Sequence, residues 1–449
     1  MNRDSVAGDS IGETITSRTA ACSGMRRSLR TASEPSGQAR HGADMRITRR
    51  DFFSSSIVGG PVALAGVAAV EVGQRHRPIP LPEPMRLWDL ATPALVVDVD
   101  QLDSNLRTMH QFYADRRASL RPHAKTHKCP VIARQQLDLG AIGIAVTKIS
   151  EAEVMVEGGV GPLLITSPIA TRGKLARLLA LARQAPSLQI VTDRLQNVRD
   201  LNDGARAVGI RLQVIIDLNT GDDRTGIALG ESAVTLADAV ARAESLELVG
   251  VQAYAGRLQH VVGWEARRHQ YSETMGRVME TVASMRQAGL NLPVVTGGGT
   301  GTYDINSEVD GMTDTQVGSY VFMDDNYREV GGRSGQVFDD FEPSLFVLAT
   351  AISQPVEGRI TVDAGYKAFA TDKEPPRLRD IGGVTYQFDG DEHGILELTD
   401  PSEPITVGDK VRLTIPHCDP TVNLYDHLHA VRGEDVLEVW PIAGRGRSQ

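Results

Sequence analysis

Residues 293–302 read PVVTGGGTGT. A glycine-rich turn behind a short β-branched run occurs in two kinds of parallel α/β fold, and its place along the chain separates them. In an open doubly wound sheet the glycines open the first βα unit, with an acid about 20 residues further on. Here they follow the seventh run, where (β/α)8 barrels commonly hold phosphate. Six runs precede it, at 120–125, 142–147, 162–166, 188–192, 212–218 and 248–254, and one follows at 315–322. Most of the intervals carry apolar residues at helical spacing, such as Leu175, Leu178, Leu179 and Ala182. Eight runs in about 250 residues predict a (β/α)8 TIM-type barrel.

Outward from that segment the pattern changes on both sides. After Pro343 the helical spacing stops, and SLFVLATAIS, GRITVDAGYKAFA, HGILELT, DKVRLTIPH and DVLEVWPIAG read as short strands. The expected division is a barrel over 86–342 and a C-terminal all-β domain over 343–449. The first 85 residues read as leader, signal and linker. Residues 1–44 have no period long enough to bury a face. From Met45 the chain runs MRITRRDFFSSSIVGGPVALAGVAAVEVG, with Arg49 and Arg50 ahead of an uncharged stretch from Ser54 to Val70. That order resembles a twin-arginine export signal, cleaved after Ala65 or Ala69, and implies a periplasmic or exported protein, or a cytoplasmic one if the signal is not used. A membrane-anchoring helix is the competing reading, although the uncharged run falls short of the ~20 residues a span prefers. Arg77 to Pro84 reads as an extended linker.

The 449 residues are 41% hydrophobic and 23% charged, which excludes a disordered chain, and the net charge of −10 argues against nucleic acid as a partner. A small molecule becomes the expected ligand. Cys22, Cys129 and Cys418 form neither a disulfide framework nor a CxxC zinc unit.

Three groups of residues point to chemistry. The first run ends RPHAKTH, and strand alternation sets His123, Lys125 and His127 on one face, toward the barrel interior. A lysine there is costly unless it is paired, pKa-shifted or covalently engaged, and a buried lysine that loses its proton near neutrality can attack a carbonyl. A surface lysine after the strand fits the same pattern. Gly297 to Thr302 and Gly318-Ser319 supply backbone N–H and hydroxyl donors after the seventh and eighth runs. They suit phosphate, or simply tight turns. A reactive lysine facing a phosphate cup suits pyridoxal 5'-phosphate. In PHCDP, His417 and Asp419 fall on one face if the strand continues through them. An imidazole and a carboxylate without a thiolate suit Mn, Mg, Ca or Zn, although H-x-D is more often a surface pair.

RPHAKTHK, TKISEAEVM, DLNTGDDRTGI, VQAYAG, TGGGTGTY, VGSYVFMD, VDAGYKA and IPHCDPTVNLYD, in this order, resemble the D-threonine aldolase and D-serine dehydratase family from about Leu87 to the end. The resemblance implies an alanine-racemase-type barrel with a C-terminal β domain, acting as a head-to-tail homodimer. It implies Lys125 as the cofactor lysine, Arg224 in the cofactor and substrate pocket, and Tyr254 against the pyridine ring. Thr300, Gly318 and Ser319 fall where the family holds phosphate, and His417 and Asp419 match its metal pair, His417 also counting as catalytic. Read without the family, Arg224 is a solvated charge or a partner of Asp222 or Asp223, and Tyr254 a half-buried core aromatic.

The family's dehydratases resemble H-x-C and its aldolases H-x-D, so Asp419 implies an aldolase unless a local irregularity presents Cys418 instead. The expected reaction is cleavage of D-β-hydroxy-α-amino acids, D-threonine in type, to glycine and an aldehyde. It uses a divalent metal, manganese or alternatively Mg, Ca, Co or Zn, with a water, hydroxide or nearby histidine taking the hydroxyl proton. His123 and His127 read more readily as packing histidines than as proton shuttles. The rivals are β-elimination of water from D-serine or 3-hydroxyaspartate, racemisation, and a non-catalytic cofactor carrier.

Overall fold

The protein is described as a computed structural model covering residues 76–449; the leader and the twin-arginine-type segment lie outside the described residues. The first described strands are β1 (Met85–Arg86) and β2 (Ala94–Asp98), followed by helix α1 (Val99–Ala114). The Asp98 carboxylate starts α1 by accepting from the N–H of Asp100 (3.0 Å) and Gln101 (3.2 Å).

The barrel strands are β3 (Ser119–Leu120), β4 (Ile144–Val146), β5 (Leu163–Ile165), β6 (Gln189–Thr192), β7 (Leu212–Asp217), β8 (Leu246–Ala253), β9 (Val294–Gly297) and β10 (Asp314–Thr315). Six lie within a residue or two of the expected runs, whereas β3 and β10 meet theirs only at Leu120 and Thr315, the rest of the eighth run passing into a 3-10 turn at Ser319–Val321; all the pairings among them are parallel. Helices α2 (Pro130–Asp138), α3 (Ile149–Glu157), α4 (Arg172–Gln184), α5 (Leu195–Val208), α6 (Glu231–Arg242) and α7 (Trp264–Gln287) alternate with the strands. The sheet runs from β3 through β10 and back to β4. It closes on itself where the Ala124 N–H reaches Ala145 O and the Ala145 N–H reaches Pro122 O, both at 2.8 Å.

Two short helices, α8 (Tyr303–Asn306) and α9 (Asp325–Arg328), then lead into the second sheet. Its remaining strands are β11 (Leu345–Val356), β12 (Arg359–Val362), β13 (Val384–Phe388), β14 (Gly394–Leu398), β15 (Lys410–Leu413), β16 (His427–Arg432) and β17 (Asp435–Pro441), with helix α10 (Cys418–Val422) before β16. The chain thus has the expected (β/α)8 barrel with a C-terminal β domain.

One boundary differs from the sequence reading. β2 lies inside the C-terminal sheet, parallel to β16 and antiparallel to β11, so the barrel proper begins after it. Both faces of β2 are buried: Leu95 and Val97 pack with Leu345 and Val347, while Ala94 and Val96 pack with Phe346 and Leu348. The linker is also bound in place, through the Ile79 N–H on Val439 O (2.8 Å) and the β1 pairing with β17. Among the described residues no helix is long and apolar enough to cross a membrane.

Candidate active site

The strand expected to carry Lys125, β3, ends at Leu120, five residues before it. Only an isolated bridge from His123 to Ala145 follows, and residues 124–127 form a turn closed by the Lys128 N–H on Ala124 O at 2.7 Å. Alternation therefore does not extend through RPHAKTH. His123 accepts from the Lys125 N–H (3.2 Å) at Nδ1, so its Nε2 carries the proton and faces the Thr166 hydroxyl at 3.2 Å. His127 turns into the protein, fully buried, with Nδ1 taking the Cys129 N–H at 3.1 Å. Burial drives both imidazoles toward the neutral form, His127 down to about 4. His127 packs in the interior, whereas His123 also lines a cavity.

Lys125 itself stands on the rim with its side chain 39% exposed, and its Nζ lies 3.3 Å from Asp419 Oδ2. That carboxylate, with Tyr254 behind it, raises the lysine pKa against the effect of burial. Of the alternatives the sequence leaves open for this lysine, the cofactor-free chain shows the paired one: the ion pair outweighs the desolvation. Burial alone would raise Asp419, but the Lys125 ammonium, the Thr126 hydroxyl and His417 hold it down at about 2.

The motif that supplies Asp419 is also not a strand. His417 caps α10 and Asp419 sits in its first turn, so a helical turn rather than a pleat brings the two into one cavity. Cys418 points inward, fully buried, its thiol pushed up by burial and by Asp324. Asp419, not Cys418, is presented to Lys125. The Asp324 carboxylate fixes this arrangement, accepting from the Cys418 N–H (2.7 Å) and the Tyr327 N–H (3.0 Å). His417 Nδ1 lies 2.8 Å from Asp372 Oδ2; a carboxylate can only accept, so Nδ1 bears the proton and Nε2 keeps its lone pair. Among the described residues no three His, Cys, Asp or Glu side chains gather into a ligand set. His417 Nε2 and the Asp419 carboxylate still form a mixed nitrogen and oxygen donor pair, with cavity volume beside it for waters, which fits a divalent ion once Asp419 leaves Lys125.

Two cavities meet at Lys125. The inner one, about 380 Å³, is lined by His123, Thr166, Ser167, Arg224, Thr225, Gln252, Tyr254 and Gln316 together with Lys125, Thr147 and Lys148. The outer one, about 740 Å³, reaches His417, Asp419, Asp372, Tyr366, Phe369 and Leu424. Arg224 is neither paired with Asp222 nor with Asp223. Asp222 bonds the Gly256 N–H (2.6 Å) and Arg257, and Asp223 accepts from Asn219 (2.8 Å). The Arg224 guanidinium carbon lies 5.4 Å from the centre of the Tyr254 ring.

The glycine segments converge beside the Lys125 turn. Thr300 Oγ1 accepts from the Tyr320 N–H at 3.1 Å and so ties the loop after β9 to the one after β10. An added Cβ at Gly318 would meet Thr126 Oγ1, and one at Gly301 would collide with the Gln259 backbone, so close packing requires glycine at both. Each of the two loops opens a short 3-10 turn, Thr300–Thr302 and Ser319–Val321, whose first N–H groups have no intrahelical acceptor. The inner cavity, lined by three cations and no carboxylate, fits an anionic phosphorylated aldehyde.

Sequence reasoning missed His260. It ends a 3-10 turn (Arg257–His260) after β8, its ring 4.6 Å from the Tyr327 ring, and its Nδ1 lies 3.1 Å from the Asn326 side-chain amide. Its side chain remains exposed, yet loss of water around the ring, then the charges of Lys373, His417 and Lys125, bring its pKa down to about 4. The QH of VQAYAGRLQH carried no spacing signal, because only the tertiary fold brings it near Asp419. Arg267 holds the surrounding loops. Fully buried, it donates to the carbonyls of Gly301 (2.6 Å), Val261 (2.7 Å), Val330 (3.1 Å) and Gly331 (2.7 Å). One guanidinium thus fastens the glycine loop, the segment after His260 and the segment after Tyr327.

Comparison with known proteins agrees with the fold. Residues 97–326 match the alanine racemase N-terminal domain, and residues 344–431 match a serine dehydratase domain. The chain is 34% identical to the 3-hydroxy-D-aspartate aldolase of Paracoccus denitrificans (strain Pd 1222) over 362 residues, 80% of this chain and 93% of the relative. It is 35% identical to the D-threonine aldolase of Arthrobacter sp over 378 residues, 83% and 98% of the two chains. The crystal structure of D-threonine aldolase from Filomicrobium marinum superposes with a TM-score of 0.79 at 37% identity, covering 83% of this chain and all (100%) of that one.

Proposed function

The chain belongs to the D-threonine aldolase and D-serine dehydratase family of pyridoxal-phosphate lyases, and from that membership we propose that it cleaves D-β-hydroxy-α-amino acids to glycine and an aldehyde. The observation that carries the aldolase reading is the approach of Asp419, with Cys418 buried behind it, to within 3.3 Å of Lys125 Nζ. Of the two family patterns, H-x-D is the one facing the cavity.

When bound, pyridoxal phosphate supplies an electron sink for the bond that breaks at Cα. In this reading Lys125 leaves Asp419 to hold the cofactor's carbonyl carbon. Thr300, Gly318 and Ser319 would hold its phosphate, and Arg224 and Tyr254 would serve its ring. His417 and Asp419 would hold a divalent ion, manganese in the family pattern, which would make the substrate β-hydroxyl more acidic. His260 accepts that hydroxyl's proton. If the Asn326 amide turns its oxygen to an Nδ1–H, a flip that moves no other atom, Nε2 keeps the lone pair a base needs. A second copy of the chain belongs to the same reading, since the outer cavity is open and bordered by exposed Tyr366 and Leu424.

Elimination of water would use the same lysine and metal pair but would first remove the Cα proton. Product analysis decides between the two. Loaded with cofactor and Mn, the protein should convert D-threonine to acetaldehyde and glycine, and 3-hydroxy-D-aspartate to glyoxylate and glycine. Release of 2-oxobutanoate or oxaloacetate with ammonia would establish the dehydratase instead.

A further inference from the structure

The inner and outer cavities share three lining residues, Lys125, Thr147 and Lys148. Two lysines that line the outer cavity already have partners: Lys125 on Asp419 at 3.3 Å, and Lys128 on Glu151 at 2.8 Å. Lys148 is different. Among the described residues its side chain forms no ion pair and no hydrogen bond. Its nearest carboxylate in sequence, Glu151, is engaged by Lys128 and by the N–H groups of Thr147 (2.8 Å) and Lys148 itself (3.2 Å). Those two bonds hold the backbone at the junction of the cavities and leave the ammonium for a ligand.

Resting on the aldolase reading above, we propose that Lys148 receives the α-carboxylate of the amino-acid substrate and is thereby the contact that sets the preference for the D configuration. The substrate amine would take the place of the Lys125 amine on the cofactor's carbonyl carbon, releasing that lysine beside it, and the β-hydroxyl would lie at His417 and Asp419, in the outer cavity. The carboxylate, the third substituent of Cα, then falls at the junction, where Lys148 carries a charge with no partner. Three contacts at one carbon define its hand. With the amine held, the opposite enantiomer exchanges the two remaining substituents, setting its carboxylate against Asp419 and Asp372 and its hydroxyl against an ammonium. Arg224 stands by Tyr254 and serves the ring.

The test uses two ligands that differ only in the carboxylate and carry no β-hydroxyl to cleave: D-2-aminobutyrate and 1-propylamine. Each is titrated into the cofactor-loaded protein and Kd is read from the change in cofactor absorbance. Lys148→Met should weaken D-2-aminobutyrate at least tenfold, change propylamine less than twofold and shrink the preference over L-2-aminobutyrate. Lys148→Arg, which keeps the charge, should retain D-2-aminobutyrate affinity within about threefold. Equal weakening of both ligands, or unchanged D-2-aminobutyrate affinity, would overturn the assignment while leaving the aldolase reading to its product assay. No spectral response from the unsubstituted protein would overturn both.

Discussion

Asp419, in the first turn of α10, stands 3.3 Å from Lys125 Nζ, so the β domain supplies the partner of the barrel's lysine. Neither domain holds a complete site. In the cofactor-free chain this ion pair keeps the amine protonated, and it must break before the amine can engage a carbonyl. Lys125→Ala should abolish the absorbance of the lysine-bound cofactor near neutral pH and reduce turnover by at least ~10⁴-fold. Full retention of that absorbance would remove Lys125 from the centre of the mechanism.

The Asp372 contact to His417 should act through the imidazole rather than on the substrate. By donating Nδ1–H to Asp372 at 2.8 Å, His417 presents Nε2 as its ligand atom. Asp372→Asn is expected to weaken Mn retention about 10- to 100-fold, read by dialysis against graded free Mn, with thermal stability little changed. Unaltered Mn affinity would reduce the pair to a surface contact.

His260 should set the acid limb of the pH–rate profile. Its neutral form is the base, and with its pKa pulled down to about 4 that form is present throughout the neutral range. The rate should therefore fall only as pH drops toward that value, and His260→Gln should lose ~10²-fold or more together with that limb. A variant that keeps the limb would transfer the role to another group.

Asp217 makes a stability prediction independent of the chemistry. Burial raises its carboxyl to about 6, and while Oδ1 accepts from Gln252 Nε2 at 2.9 Å, Oδ2 is buried without a partner. Because the folded pKa lies above the unfolded one, the native state holds the proton more tightly, and stability falls as pH rises from about 4 to about 6. Asp217→Asn should therefore be more stable than the parent above pH 6, by ~3 kcal/mol, the difference vanishing below pH 4. Urea denaturation at pH 4 and pH 8 checks both ends.

The middle six strands were legible because each buried run is short, apolar and bounded by helical spacing; the first and eighth end almost where their expected runs begin, at Leu120 and Thr315. β2 was not counted. A run buried on both faces carries no alternation, and nothing local tells which of two sheets it joins. Lys125, His417 and Asp419 were legible as residue types in motifs, yet the reasons offered for their orientation were wrong. Both segments were read as pleated strand, whereas a turn carries Lys125 and a helical turn carries the acid. His260 had no local signal, and Lys148, although inside TKISEAEVM, had none that marked it as unpaired.

What the sequence determined by itself was therefore the alternation that closes a barrel, the chemistry available in PHAKTH, GGGTGT and PHCDP, and the family these imply. Those properties are written in the spacing of neighbouring residues. The tertiary structure decided which groups meet: Asp419 rather than Cys418 on Lys125, Glu151 on Lys128 and not on Lys148, and His260 beside Tyr327. Charges act over a few ångströms of space, and only the packed chain sets distances between residues hundreds of positions apart.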